Sequence, residues 1–126
     1  MSSPLPADGD LRLEDAQWDA LLLAVPKLND RDRRALEAVL YLLSSGTPWL
    51  DLPEGWGVSG RTAWSRFKTW SEGGLWAGLL ETFLSTLEPQ GRTAWERALE
   101  RAQEARTQRH GRAKRLECLR VDVALG

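Results

Sequence analysis

Seven polar and basic side chains near the middle of the sequence have the residue types and spacing that contacts with DNA require. Arginine and lysine bind phosphates, arginine also pairs with the edge of guanine, and serine and threonine hydroxyls bond to either group. At 100° per residue, most of them fall on one side of a helix predicted from Gly60 to about Ser71. The candidate DNA-binding residues are Ser59, Arg61, Thr62, Ser65, Arg66, Lys68 and Thr69.

The predicted roles of these residues differ with their position on the helix. Ser59 is predicted to cap the helix, which leaves other backbone N–H groups of the first turn free to face a phosphate. Four side chains are predicted to enter a major groove: Arg61, Thr62, Ser65 and Thr69. Arg66 and Lys68 lie at the flanks, where phosphates run. The alternative is an ordinary solvated surface, because any exposed helix has a polar face.

The segment around this helix has the order of a helix-turn-helix motif. From Leu52 to Trp70 the sequence predicts a short helical turn, a tight turn at Gly57 and then the polar-faced helix. Gly57 lies where the chain needs a positive φ. Apolar side chains form the other side of the helix and are predicted to lie in the core: Ala63, Trp64, Phe67 and Trp70. Pro53 departs from the motif, which usually has a small helix former at that place.

Four further segments have the apolar spacing of helices, and no segment has a clear strand pattern. They cover residues 14–25, 31–45, 75–87 and 92–109. The sequence therefore predicts an all-α fold with a compact helix-turn-helix-like domain over residues 13–90. A disordered segment over residues 1–12 is expected before it. A charged helical extension, frayed or disordered at its end, is expected over residues 91–126.

Composition and charge are those of a soluble globular protein. The chain has 126 residues, of which 42% are hydrophobic and 28% charged, and a net charge of -1. One cysteine, Cys118, excludes an internal disulfide and a cysteine-rich zinc site, and neither it nor the single histidine, His110, is predicted to do chemistry. Because the sequence has no signal peptide and no membrane-spanning apolar stretch, a cytoplasmic protein is expected. No catalytic site, metal or cofactor is predicted.

Three groups of residues at fixed spacing resemble the N-terminal region of DDE-type insertion-sequence transposases. They are Gly46-Thr47-Pro48-Trp49-Leu50-Asp51-Leu52-Pro53, Thr62-Ala63-Trp64-Ser65-Arg66-Phe67-Lys68-Thr69-Trp70 and Gly74-Leu75-Trp76. The single residues Trp18, Arg33 and Gly57 belong to the same pattern. The resemblance covers about residues 13–87. It implies an all-helical domain that binds double-stranded DNA at the terminal inverted repeats of its own element. The sequence departs from the family at Glu14, where a capping threonine is frequent, and at Thr69, where a basic residue is common.

The resemblance also implies a separate catalytic domain in the family. That domain has an RNase H-like fold and uses three well-separated carboxylates to hold two divalent metals. It would begin near residues 100–120, so we expect this chain to be the recognition part of a transposase without catalysis. Asp122 lies between two valines, as on the strand that bears the first catalytic aspartate, but it has no partner carboxylates.

Two other functions are compatible with the same sequence. The charged helix over residues 92–109 would dock a separately encoded catalytic transposase subunit or a second copy in a homodimer. Exposure of an apolar stripe through Trp95 and Leu99 would favour this function. The chain would otherwise be an inactive transposase remnant. A truncated, a frameshifted and a separately encoded product are all compatible with the sequence.

Overall fold

Five α-helices and one 3₁₀ turn make up the secondary structure. The computed structural model describes the backbone of residues 4–125 and the side chains of residues 4–108. The helices are α1 (Asp15–Ala24), α2 (Asp30–Ser45), α3 (Gly60–Glu72), α4 (Leu75–Ser85) and α5 (Pro89–Leu125), and the 3₁₀ turn covers Trp49–Asp51. No strand occurs over residues 4–125. The predicted all-α fold is confirmed.

The central helix of the core is α2. Residues 35–40 are all buried, so this part of the helix has no exposed face. Helices α3 and α5 pack against α2, while α1 packs against α4. Burial of one large aliphatic side chain contributes roughly 1.5–3 kcal/mol. Leu36, Leu40 and Leu42 therefore hold the surrounding helices in place through α2.

Side-chain caps and glycines define the ends of α2 and the start of α3. The cap of α2 is Asn29, one residue before the predicted Asp30, and its Oδ1 accepts the Asp32 backbone N–H at 2.9 Å. Gly46 ends α2 with a φ of 74°, a conformation that favours glycine. Ser59 caps α3 as predicted, because its Oγ accepts the Thr62 backbone N–H at 3.1 Å.

Residues 4–12, for which the sequence predicts disorder, instead lie against the core without forming a helix. The carbonyl of Pro4 accepts a hydrogen bond from the buried Trp95 indole at 3.0 Å. The Ala7 backbone N–H donates to Ser44 Oγ at 2.8 Å, and Leu11 is fully buried. The physical reason is that a buried indole N–H needs an acceptor. Residues 4–12, which supply this acceptor, have no apolar periodicity from which their packing could be predicted.

The first turns of α5 also belong to the core. Trp95 is fully buried and meets Phe83 edge to face, with ring centroids 5.0 Å apart. One turn after Ala102, Arg106 donates to the carbonyls of Leu42 and Thr47 at 2.7 and 2.9 Å. A cation at carbonyls near the end of α2 stabilises that helix terminus. No helix in the described part of the chain is long and apolar enough to cross a membrane.

Gly60 is predicted to be the least replaceable glycine for stability. A Cβ there would overlap the carbonyl oxygen of Trp49, so the backbone of the 3₁₀ turn or of α3 would have to move. We expect Gly60→Ala to lower the free energy of unfolding by about 2–3 kcal/mol in urea denaturation followed by circular dichroism. In the control Gly78→Ala, a Cβ meets no atom within 4 Å. That change in the interior of α4 should raise stability by about 0.5–1 kcal/mol. Equal stability of the two variants would contradict the prediction.

Candidate nucleic-acid interface

The polar face of α3 is exposed, as the sequence predicts. Arg61, Ser65, Lys68 and Thr69 are exposed, whereas Thr62 and Arg66 are half-buried. Ser59 and Thr62 are joined by the helix cap, because Ser59 Oγ also donates to Thr62 Oγ1 at 3.0 Å. These two hydroxyls therefore fix the first turn of α3. Of the exposed groups, Arg61 lies in this first turn, and Ser65, Lys68 and Thr69 follow in the next two turns.

The apolar side of α3 rests on a cluster of aromatic rings. The ring centroid of Trp49 lies 5.1 Å from that of Trp64 and 5.4 Å from that of Phe67, and Phe67 meets Trp76 at 5.1 Å. Ala63 and Trp70 are buried, as predicted. Trp64, predicted to lie in the core, is 45% exposed. It sits at the edge of the aromatic cluster, where the 3₁₀ turn covers only one side of the ring.

A shallow cleft between α2 and α3 collects most of the predicted DNA-binding residues. Its lining consists of Arg31, Arg61, Thr62, Ser65, Arg66 and Thr69. Five of these six are on the predicted face, while Ser59 and Lys68 lie outside the cleft. Arg31 comes from the first turn of α2, and sequence analysis did not select it. No pattern in the sequence indicates Arg31 as a site residue, because only the packing of α2 on α3 brings it beside Arg61.

Arg66 is tied to the protein rather than free for phosphate. Its guanidinium lies 3.5 Å from Asp32 Oδ1, and Asp32 is buried at the start of α2. The other carboxylate oxygen of Asp32 accepts the Asn29 backbone N–H at 3.1 Å. Asp32 therefore links the cap of α2 to the middle of α3. The pair holds Arg66 at the cleft while cancelling much of its charge.

The turn before α3 needs glycine for two separate reasons. Gly57 has a φ of 79°, which side chains rarely adopt. A Cβ at Gly57 would also lie 2.8 Å from Cδ of Arg34, whose aliphatic part crosses the turn. The neighbouring Trp56 is buried, and its ring carries the Arg12 guanidinium at 4.4 Å from the centroid. Arg12 also donates to the Gly55 carbonyl at 3.0 Å, which fixes the other side of the turn.

A second cleft, beside this turn, contains a buried carboxylate. It is lined by Arg12, Asp30, Arg33, Arg34, Glu37, Gly55, Trp56 and Gly57. Glu37 accepts the Leu13 backbone N–H at 2.8 Å. Burial raises the pKa of Glu37 above its ordinary value, while that hydrogen bond and three nearby arginines oppose the rise in pKa. Positive and negative charges nearly balance in this cleft, unlike in the cleft between α2 and α3.

Several sequence predictions concern residues whose side chains the structure does not describe. These are His110, Cys118, Asp122 and most of the basic run over residues 106–120. Within residues 4–108, no three His, Cys, Asp or Glu side chains are grouped so that they could hold a metal ion.

The raised pKa of Glu37 predicts a specific dependence of stability on pH. Because the folded chain holds the proton more tightly than the unfolded chain, the free energy of unfolding should fall as pH rises from below 4.5 through the folded pKa. Glu37→Gln keeps an oxygen for the Leu13 N–H but cannot ionise. We therefore expect a smaller decrease in stability between about pH 4 and pH 7 in this variant, measured by urea denaturation at each pH. Glu100→Gln, an exposed control on α5, should follow the unmodified chain. An unchanged pH dependence in Glu37→Gln would refute this account.

Comparison with known proteins places these features in a family. A family model described as "Putative transposase of IS4/5 family" matches residues 13–80, which include α1, α2, α3 and the cleft between α2 and α3. The insertion element IS402 uncharacterized 16.2 kDa protein of Burkholderia cepacia is 33% identical over 98 residues, covering 68% of this chain and 67% of that protein. No solved structure matches the chain. The predicted resemblance to insertion-sequence transposases is confirmed, and the chain belongs to the IS4/5 transposase family.

Proposed function

We propose that this chain binds double-stranded DNA sequence-specifically at the terminal inverted repeats of its element, with α3 as the recognition helix. The observation that carries the proposal is the cleft between α2 and α3, which joins three arginines to three hydroxyl side chains on an exposed helix face. Guanidinium and hydroxyl groups are the donors that read base edges and bind phosphates. Membership of a transposase family supports DNA as the ligand.

The pairing of charges leaves cations at α3 available to bind DNA. Arg33, Arg66 and Arg92 form ion pairs with Asp15, Asp32 and Glu81. Among the described side chains, Arg31, Arg61 and Lys68 form neither an ion pair nor a hydrogen bond. An unpaired guanidinium can bind an anion without first giving up an internal partner. The local charge at α3 is therefore more positive than the net charge of -1 suggests.

Each exposed group on α3 has a distinct proposed contact. Arg61 would bind guanine bidentately through its two terminal nitrogens, whereas Ser65 and Thr69 would make less selective hydrogen bonds. Lys68, outside the cleft, would meet a phosphate at the groove edge. The half-buried Arg66, held by Asp32, would contact DNA only at the angle that this pair allows. A helix-turn-helix docking of α3 follows from these assignments.

The proposed role is recognition rather than strand cleavage, in the cytoplasm and together with a catalytic transposase subunit. The side chains gathered at α3 donate hydrogen bonds to phosphates and bases, and such contacts bind and orient DNA. A protein-interaction module built on Trp95 and Leu99 is less well supported, because Trp95 is fully buried. Its indole N–H is bound to Pro4, so it cannot join an exposed docking stripe.

Selection from a pool of random-sequence duplexes tests the proposal directly. The chain should enrich one motif, and that motif should occur in the inverted repeats at the ends of the element. Affinity for the motif should fall steeply with salt, because phosphate contacts release counterions. If no motif is enriched at moderate salt, sequence-specific binding is refuted.

The variant Arg61→Ala distinguishes a contact with a base from a general electrostatic attraction to DNA. One bidentate contact is worth about 1–3 kcal/mol, so preference for the selected motif over a scrambled duplex should fall at least about fivefold. Arg97→Ala is the matched control, since Arg97 is exposed on α5 and likewise has no ion pair among the described residues. Fluorescence anisotropy with both duplexes gives the two affinities. An equal weakening on both duplexes would show that Arg61 contacts phosphate and not a base.

A further inference from the structure

We propose that two arginines of α2, Arg31 and Arg34, bind successive phosphates of one DNA strand and so set the angle at which α3 meets the groove. We call them the α2 arginine pair. The inference rests on the proposed DNA binding by α3. It adds a second contact surface whose ligand is the phosphate backbone and whose binding does not depend on sequence.

The three arginines in the first turns of α2 differ in whether they have a partner within the protein. Arg33 is engaged toward α1, where it donates to Leu13 O at 2.7 Å and to Asp15 Oδ1 at 3.1 Å. Arg31 and Arg34, three residues apart, lie on one face of the helix. Both are exposed, and neither makes an ion pair or hydrogen bond within the described residues. The pair is therefore available to an anion, whereas Arg33 holds the fold together.

The α2 arginine pair flanks the beginning of α3. Arg31 lines the cleft that also contains Arg61 and Ser65. Arg34 lies across Gly57, two residues before the cap of α3, since a Cβ on that glycine would come within 2.8 Å of Arg34 Cδ. A DNA strand that passes the first turn of α3 would therefore meet both guanidinium groups. In helix-turn-helix complexes the helix before the recognition helix crosses the backbone, and α2 is placed for that role.

The carboxylates near the α2 arginine pair are mostly engaged inside the protein. Asp32, which would repel a phosphate beside Arg31, is instead buried and paired with Arg66. Glu37 is buried beneath Arg34 and its neighbours, where it accepts a backbone N–H. Asp30 is the exposed carboxylate on this part of α2, and it lines the cleft on the Arg34 side. Two of the three nearby carboxylates are thus withdrawn from the surface on which a phosphate would lie.

The test compares Arg31→Ala, Arg34→Ala and the double variant on the selected motif and on a scrambled duplex, over a series of salt concentrations. The double variant should bind both duplexes more weakly by a similar factor, on the order of tenfold or more. The slope of log affinity against log salt should become shallower by about 0.9 for each phosphate that the variant no longer neutralises. Arg31→Lys and Arg34→Lys should retain the slope, because lysine also binds phosphate as a point charge. Arg97→Ala again serves as the control.

The outcomes separate this inference from the proposed function. Weakening confined to the selected motif, or an unchanged salt slope in the double variant, would overturn the phosphate assignment while α3 recognition stands. If the unmodified chain binds duplexes without preference but the double variant still lowers the slope, the proposed sequence specificity fails and the α2 arginine pair stands. If the unmodified chain binds no duplex, both fail. Circular dichroism of each variant shows that it is folded, which is expected since both side chains are exposed.

Discussion

The 3₁₀ turn, α3 and α5 are in contact at Trp49, and the orientation of α3 depends on these contacts. The Trp49 carbonyl lies against Gly60, where α3 begins, so only a glycine can stand there. Its ring stacks on Phe67 of α3 at 5.4 Å. From α5, Arg106 places its guanidinium 5.7 Å from the same ring while bonding the end of α2. The orientation of the polar face of α3 thus depends in large part on contacts made on the other side of the helix.

Local rules predicted the elements of the fold, and contacts between distant residues decided the details of the site. Apolar spacing indicated the helices, and Ser59 was recognised as a cap because serine before a helix accepts an N–H. The partner of Arg66 could not be predicted, since Asp32 lies in another helix and periodicity describes one helix at a time. The same limit applies to Arg31, whose place in the cleft depends on how α2 packs on α3. The docking of residues 4–12 escaped prediction because it depends on contacts with distant residues, such as the hydrogen bond from the Trp95 indole to Pro4.

Near-neutral net charge and a positive surface at α3 coexist here because several carboxylates are engaged within the fold. Asp15 and Asp32 are paired with Arg33 and Arg66, and Glu37 is buried close to Arg33 and to two further arginines. Ion pairs of this kind add little stability when exposed, and their main effect is to orient the groups they join. Of the described cations without an ion pair, several lie on α2 and α3, namely Arg31, Arg34, Arg61 and Lys68, and others lie elsewhere, namely Lys27, Arg97 and Arg101. Charge arrangement, rather than total charge, is therefore the informative quantity for a small chain of the IS4/5 transposase family.

The hydrogen bond between Trp95 and Pro4 joins residues 91 positions apart, and that between Arg106 and Leu42 spans 64. A growing chain leaves the ribosome from its N-terminus, so the last of these partners emerges long after α2 and α3. Until then, the apolar surface of α2 that α5 covers stays open to proteases and chaperones. The core around α2 is therefore complete only once the first turns of α5 have been synthesised.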